Sequence, residues 1–357
     1  MAEPSKTEQR KAEHVNIILN EDVSAGYDYW ADVHLLHNAL PEIDLDDIDL
    51  EVKFFGKRLA APLVISSMTG GFGMGGEINA NLAKAAAEVG VAMGVGSQRA
   101  AIEKPDLEPT YSVVKDHDVP LLFANLGAPQ LIPQAQKRAY GVADAKKAMD
   151  MIGADALIVH LNFLQEVVQP EGDRRAKGCL AAVKNLAARF PVMAKETGAG
   201  ISRDVATSLK KVGVKAIDVG GLGGTSFSAV EHYRARKDAS SLKERLGATL
   251  WDWGIHTPAS IVLANVGLPL VATGGVRSGL DVAKGIALGA TAAGMAKPML
   301  EAAKASSDAV VSELRSVIEE LKAAMFLTGA ASVAELQERH AIINAPTATW
   351  IELAEES

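Results

Sequence analysis

One cysteine, Cys179, is all that the 357 residues contain. No intrachain disulfide can form and no thiolate cluster can hold a metal, so this thiol is expected to be buried and inert. No apolar run reaches the roughly 20 residues of a membrane helix. Residues 1–16 are polar and charged and lack the apolar centre of a secretion signal, so a cytoplasmic protein with no membrane partner is expected. Like charges never gather into a block, and the formal net charge is −8. Nothing is therefore expected to bind nucleic acid, and any anion must be held by a few local groups.

What is present suits a well-buried core: 48% of the residues are hydrophobic and 22% charged, ordinary for a globular chain. Eight short apolar runs recur at 62–67, 91–95, 120–125, 156–161, 191–196, 216–219, 269–273 and 292–295. Segments of helical period fall between them, including 77–88, 141–151, 177–189 and 202–212, with another between 107 and 117. Continuously apolar runs are what strands covered on both faces require. Strands that alternate with helices form a parallel sheet through crossovers. The expected fold is therefore α/β, a (β/α)8 TIM barrel with an N-terminal extension and C-terminal helices. The length exceeds the roughly 250 residues of a plain barrel. Residues 1–60 are expected to form the extension, 61–305 the barrel and 306–357 the tail. Within 44–62 the alternating pattern reads as a hairpin covering one barrel end. The polar stretch 226–255, with Glu231, His232, Arg234, Arg236 and Lys237, is too long for a simple connection. It reads as a functional lid or an oligomer contact, or else as a disordered insert.

Active-site groups of this fold sit where strands end. The first run ends in Ser66, Ser67, Met68 and Thr69 before two glycines, and the second in Ser97, Gln98 and Arg99. Asn125 ends the third, and the fourth leads through His160 to Asn162, Gln165 and Glu166. Lys195 ends the fifth, and Thr225 follows the glycines of the sixth. After the seventh come Gly274, Gly275 and Val276, then a helix expected to start just after Ser278; Ala296 and Lys297 follow the eighth. Two glycines before a helix start let backbone N–H groups approach an anion. Loops after the seventh and eighth strands of such barrels commonly hold a phosphate, and Arg277 and Lys297 could neutralise its charge. The plainer reading is a tight turn. Singly, Asn125 could cap a turn, Lys195 could sit in a surface ion pair and His160 could be a satisfied interior histidine. Jointly they match the needs of FMN, with Lys195 as the cation near the pyrimidine edge of the ring. Glu166 suits a Mg²⁺ ion that keeps several waters and shares its site with a diphosphate, or else is a carboxylate at a helix start. Arg10, Lys11 and His14 fall within one turn of a helix that is either solvated or folded over the barrel mouth to clamp phosphate.

Several motifs together make the chain resemble the flavin-dependent, type 2 isopentenyl-diphosphate isomerases. They are R-K-A-E-H at 10–14, L-H-N-A-L-P-E at 36–42, A-P-L-V-I-S-S-M-T-G-G at 61–71 and G-S-Q-R at 96–99. H-L-N-F-L-Q-E at 160–166, K-E-T-G at 195–198, G-G-T-S at 223–226 and G-G-V-R-S-G at 274–279 follow in order. The resemblance implies FMN contacts from Ser67, Met68, Thr69, Ser97, Asn125, Lys195, Thr225, Gly274, Gly275, Val276, Ala296 and Lys297. It implies substrate contacts from Arg10, Lys11, His14, Ser97, Gln98, Arg99, His160 and Gln165, and Mg²⁺ on Glu166. Thr69, His160, Asn162 and Gln165 are the implied catalytic positions. The family is cytoplasmic, often octameric, and uses FMN reduced by NADPH for a reaction with no net redox change. Two departures stand out: the glycine-rich 72–76, and His256 where W-G-I is commonly followed by Pro. An FMN-dependent 2-hydroxy-acid oxidase or dehydrogenase is the alternative, but it needs a His base beside an Arg, and the matching region offers only His256. A non-catalytic flavin-binding barrel is the other alternative.

Overall fold

In the computed structural model, which describes residues 6–135 and 137–355, eight parallel strands close into a barrel in chain order. They are β1 Leu63–Ile65, β2 Ala92–Gly94, β3 Leu122–Gly127, β4 Ala156–Leu161, β5 Val192–Glu196, β6 Ala216–Asp218, β7 Leu270–Thr273 and β8 Ala292–Met295. Seven lie within the predicted runs and β3 overruns its own, 120–125, by two residues; β8 closes on β1 through Ala293–Leu63, Gly294–Val64 and Met295–Ile65. Inward-facing Val64, Phe123, Ile158, Met193 and Val271 fill the lower barrel as one apolar cluster with Phe54 and Leu59. The last two belong to the hairpin Val52–Phe54 and Lys57–Leu59. Phe55 sets its ring 5.5 Å from Phe123, so the hairpin plugs the end opposite the site, and the loops above are left to carry chemistry.

Local signals explain where the helices begin. Ser202 caps Arg203–Lys211 by accepting from Val205 N, and Ser278 forms a capping box with Asp281 at Gly279–Ala287. Residues 226–255 are not a disordered insert: Phe227–Lys237 and Ser241–Thr249 form two helices packed on each other. Their mixed charge hides the apolar stripe by which helices are usually read. A helix Lys6–Asn20 crosses the barrel mouth and packs on the first of this pair. Beyond it, the strand Val33–Leu35 pairs antiparallel with Ala341–Ile343 from the far end of the chain. Beside that pairing, the buried Asp32 carboxylate accepts from Thr347 Oγ1 at 2.6 Å. The tail is more than the two helices that its pattern suggests, because this strand and a last helix, Thr347–Glu355, follow Ser307–Thr328 and Val333–Gln337.

Cys179 is buried, its thiol donating to Ala128 O at 3.4 Å. Burial pushes its pKa up, which agrees with an inert thiol. No helix among the described residues is long and apolar enough to cross a membrane.

Candidate active site

The C-terminal strand ends surround a cavity of about 520 Å³. Across the register, Gly127 of β3, His160 of β4, Lys195 of β5 and Asp218 of β6 stand side by side. Gly127 makes room for this row, since a Cβ there would lie 2.7 Å from His160 Nε2. Lys195 Nζ pairs with Asp218 Oδ2 at 2.9 Å, both side chains buried. Lys195 is thus in an ion pair, not the surface one of its plainer reading but an interior one that lines the cavity. Asn125 Nδ2 donates to Val95 O, which fixes the amide so that Oδ1 must accept from His160 Nδ1 at 2.7 Å. His160 Nε2 therefore carries the lone pair. Burial, with the charges of Lys11, Lys195, Arg10 and Arg99, lowers the His160 pKa to about 3, so the imidazole is neutral.

One side of the cavity is unsatisfied. The hydroxyl oxygens of Ser66, Ser67 and Thr273 are buried without a hydrogen-bond partner, and each such group costs about 1–3 kcal/mol until a ligand meets it. Beside them the turn after β7 runs through Gly274 (φ 120°) and Gly275 (φ 73°), backbone that only glycine adopts without strain. Trp30 Nε1 and Thr257 Oγ1 both donate to Gly274 O, at 3.0 and 2.8 Å. That pins the carbonyl outward. Among the described residues the amides of Gly275 and Val276 have no acceptor, and both residues line the cavity. Arg277, expected to neutralise an anion, donates instead to Gly275 O and Gly223 O.

Cations collect at the other end, under the helix Lys6–Asn20. Arg10, Lys11, His14 and Arg99 line the cavity there. Arg99 is held by Glu103 at 2.8 Å and Asp173 at 3.0 Å. Lys11 Nζ donates to Gly70 O, Ser97 O and Tyr111 Oη at 2.6–2.7 Å. Burial, then Arg10 and Arg99, lowers its pKa to about 7. Glu166 Oε2 accepts from Gln169 Nε2 at 2.8 Å and Asp173 N at 2.6 Å, Oε1 accepts from Asn162 Nδ2, and burial raises its pKa. Asn162 Oδ1 is buried without a partner. Among the described residues no three His, Cys, Asp or Glu side chains are grouped to hold a metal.

The helix Phe227–Lys237 supplies the lock for this roof. Glu231, fully buried, accepts from Gln165 Nε2 at 3.3 Å, bonds His14 Nε2 at 2.8 Å and accepts from Arg234 Nη1 at 2.7 Å. Arg234 also binds Glu13 at 2.9 Å and Glu171 at 3.0 Å. Burial would raise the Glu231 pKa, but His14 and Arg234 together lower it to about 2. At the end of β5, burial pushes Glu196 up to about 7 even though its Oε2 accepts from Thr197, Gly198 and Ala199 N. That nest stiffens the loop whose Thr197 and Gly198 line the cavity.

Of the sequence-predicted site residues, two lie off the cavity wall. Thr69 turns its hydroxyl to Asn79 Oδ1 at 2.6 Å. Gln98 points outward, donating to Ala148 O and accepting from Asn125 N. Their side chains bond within the scaffold, and both supports, Asn79 and Ala148, sit on outer helices. The others, Ser67, Met68, Ser97, Asn125, Lys195, Thr225, Gly274, Gly275, Val276, Ala296, Lys297, Arg10, Lys11, His14, Arg99, His160, Asn162, Gln165 and Glu166, share one cavity. Sequence reasoning missed Trp30 and Tyr111, which act across more than 90 residues with no local pattern. His256 is outside the cavity, stacked on Tyr29 at 4.3 Å and edge-on to Trp350.

A family profile described as FMN-dependent dehydrogenase matches residues 249–343. A mandelate oxidase variant solved with an FMN adduct superposes with a TM-score of 0.62 at 20% identity, covering 95% of this chain and 99% of the other; at that identity the likeness concerns fold alone. Isopentenyl-diphosphate delta-isomerase of Thermoplasma volcanium is 49% identical over 97% of this chain and 99% of its own length. The proteins of the same name from Methanosarcina mazei and Archaeoglobus fulgidus are each 48% identical, over 97% of this chain and 94% and 99% of theirs.

Proposed function

The chain belongs to the isopentenyl-diphosphate delta-isomerase family, and from that premise we propose that the cavity binds FMN on its glycine-rich side and isopentenyl diphosphate beneath the N-terminal helix. One observation carries this reading. A single cavity has unpartnered hydroxyls and free turn amides at one end and a cluster of cations at the other. Ser66, Ser67 and Thr273 suit the polar groups of a flavin, the Gly275 and Val276 amides suit its phosphate, and Lys195 suits the ring edge. These residues fit the cofactor. Bound and reduced, it would supply an electron-rich ring and an N–H acid beside the alkene.

The protein's own part is to bind, dry and orient. Moving the double bond needs a proton added at one carbon and removed at another, and an isolated alkene is a weak base, so the pocket must exclude water. Val15, Ile18 and Phe227 give the cavity an apolar roof. Arg10 and Arg99 attract the diphosphate. Burial first and the nearby cations second keep His160 neutral; the diphosphate's charge offsets the cations, so on binding the His160 pKa rises, towards a state in which Nε2 would carry a proton and donate to a phosphate oxygen. Gln165, held by Glu231, and Asn162 face the carbon chain as orienting groups. Glu166 with the unpartnered Asn162 Oδ1 offers hard oxygen ligands for a Mg²⁺ shared with the diphosphate. NADPH as reductant, a cytoplasmic location and an octameric assembly belong to the same proposal and rest on family resemblance.

The test is direct. Protein reconstituted with FMN and reduced by NADPH should convert isopentenyl diphosphate to dimethylallyl diphosphate in the presence of Mg²⁺. A colourless protein after reconstitution, or a yellow one that turns over lactate or glycolate instead, would overturn the reading. Glu166→Gln should raise the Mg²⁺ requirement while leaving FMN retention unchanged.

A further inference from the structure

Behind the main cavity lies a second one of about 220 Å³, and Arg99 and Gln130 line both. Arg99 is thus part of the wall between them. Its guanidinium has five N–H groups. Nε donates to Glu103 at 2.8 Å and Nη1 to Asp173 Oδ2 at 3.0 Å, and both carboxylates belong to the rear cavity alone. The other three N–H groups find no acceptor among the described residues, which leaves them for a ligand in front. Of the two anchors Asp173 is the firmer, since its side chain is 5% exposed and that of Glu103 39%. Asp173 is itself held from several sides. Its Oδ1 accepts from Lys137 Nζ at 2.7 Å, Gln130 Nε2 reaches Oδ2 at 3.5 Å, and its backbone N donates to Glu166 Oε2 at 2.6 Å. Gly172 lets the chain turn back so closely, because a Cβ there would lie 1.7 Å from Glu166 O. Gln134 fastens the stretch beyond, donating to Arg175 O at 3.0 Å and accepting from Arg175 N at 3.1 Å.

We propose that Asp173 is a positioning residue: from the rear cavity its carboxylate aims the Arg99 guanidinium at the substrate's diphosphate. This deepens the isomerase reading and rests on it for the identity of the substrate. Net charge and aiming predict opposite signs. Taking a carboxylate away from beside an anion site increases the attraction for the anion, so Asp173→Asn would tighten diphosphate binding if Asp173 were background charge only. Asn keeps the shape but offers one oxygen and one NH2, so either Arg99 or Lys137 must face a donor. With the aim lost, diphosphate binding weakens about tenfold in spite of the added positive charge.

The experiment titrates FMN-reconstituted protein with inorganic diphosphate and Mg²⁺ in a calorimeter. Asp173→Asn should raise the diphosphate Kd about tenfold while the flavin spectrum stays that of the parent. Asp173→Asn combined with Lys137→Met preserves the net charge and leaves no ammonium facing a donor; it should show the same rise, and it decides the matter where the single variant does not fold. Because Asn keeps the backbone amide on Glu166, the Mg²⁺ concentration at half-saturation should stay within about twofold, which a general collapse of the site would not allow. Added to Arg99→Met, Asp173→Asn should cost nothing further, because it acts through Arg99. With isopentenyl diphosphate, KM should rise about tenfold and kcat should stay within about twofold. Unchanged or tighter diphosphate binding in Asp173→Asn and in its combination with Lys137→Met would overturn the proposal, as would an additive loss in the Arg99→Met background or a Mg²⁺ requirement that rises in step with Kd. A parent that binds no diphosphate would overturn the proposal together with the reading beneath it. A parent that binds diphosphate but turns over no isopentenyl diphosphate fails the isomerase reading alone, and the titrations still decide the positioning.

Discussion

Arg234→Met should destabilise the protein by about 3 kcal/mol at pH 7, and the deficit should shrink in acid. The reasoning starts from Glu231, which has no exposed surface and relies on Arg234 at 2.7 Å and His14 at 2.8 Å. Its carboxyl falls from an ordinary 4.5 to about 2 on folding. At 1.36 kcal/mol per pK unit that is worth about 3 kcal/mol. Because the folded value is depressed, this stability is complete above pH 4.5 and is lost as pH falls through 2. Without Arg234 the carboxyl keeps His14 but loses its second cation against burial, so its folded value rises and the deficit shrinks as acid protonates it. Removing one partner of a buried pair costs about 3–5 kcal/mol. The lower end applies because His14 and Gln165 remain. Glu13 and Glu171 also lose a partner, but both are over two-fifths exposed and add little. Urea unfolding followed by circular dichroism at pH 7 and at about pH 3.5, inside that window, measures the difference. Arg234→Met with Glu231→Gln should recover most of the loss, since a neutral amide needs no cation. A deficit under about 1 kcal/mol at pH 7, one that does not shrink with acid, or a double variant no better than the single would refute the reasoning.

Three further outcomes are expected. Gly275→Ala forces a side chain into φ 73°, with its Cβ 2.3 Å from Gly223 O, so FMN retention measured by equilibrium dialysis should fall at least ~10-fold while the circular dichroism is unchanged. Burial lowers His256 to about 4, so stability should decline as pH drops from 6.5 through 4; His256→Phe, which keeps the stack on Tyr29, should flatten that part of the melting profile. In ¹⁵N NMR of the labelled enzyme, the His160 ring should stay neutral down to about pH 4, with Nδ1 protonated, and inorganic diphosphate should move its titration upward.

The barrel was plain in the chain because its strands are buried on both faces, and continuous runs such as 156–161 and 292–295 have no other common use. Ser278 and Ser202 marked helix starts because capping chemistry is local. The two helices of 226–255 were not resolved as helices, since their burial is set by contacts with the N-terminal helix and with each other. Types of residue at the strand ends were legible, and directions were not. Thr69 and Gln98 carry polar groups that could face inward, and only the positions of Asn79 and Ala148 turn them away. Glu231 could be seen as a polar residue in an insertion, but not as the centre of a buried network, because its partners His14 and Gln165 lie 217 and 66 residues away.

The pairing of Val33–Leu35 with Ala341–Ile343 has a consequence for how the protein is made. A ribosome emits all eight strands of the barrel before the mate of the first strand, so the opening segment must wait, unpaired, while the barrel takes shape. Cells would thus hold a short-lived nascent species with a barrel and a loose leading end, and a truncation ahead of Ala341 would make that species permanent.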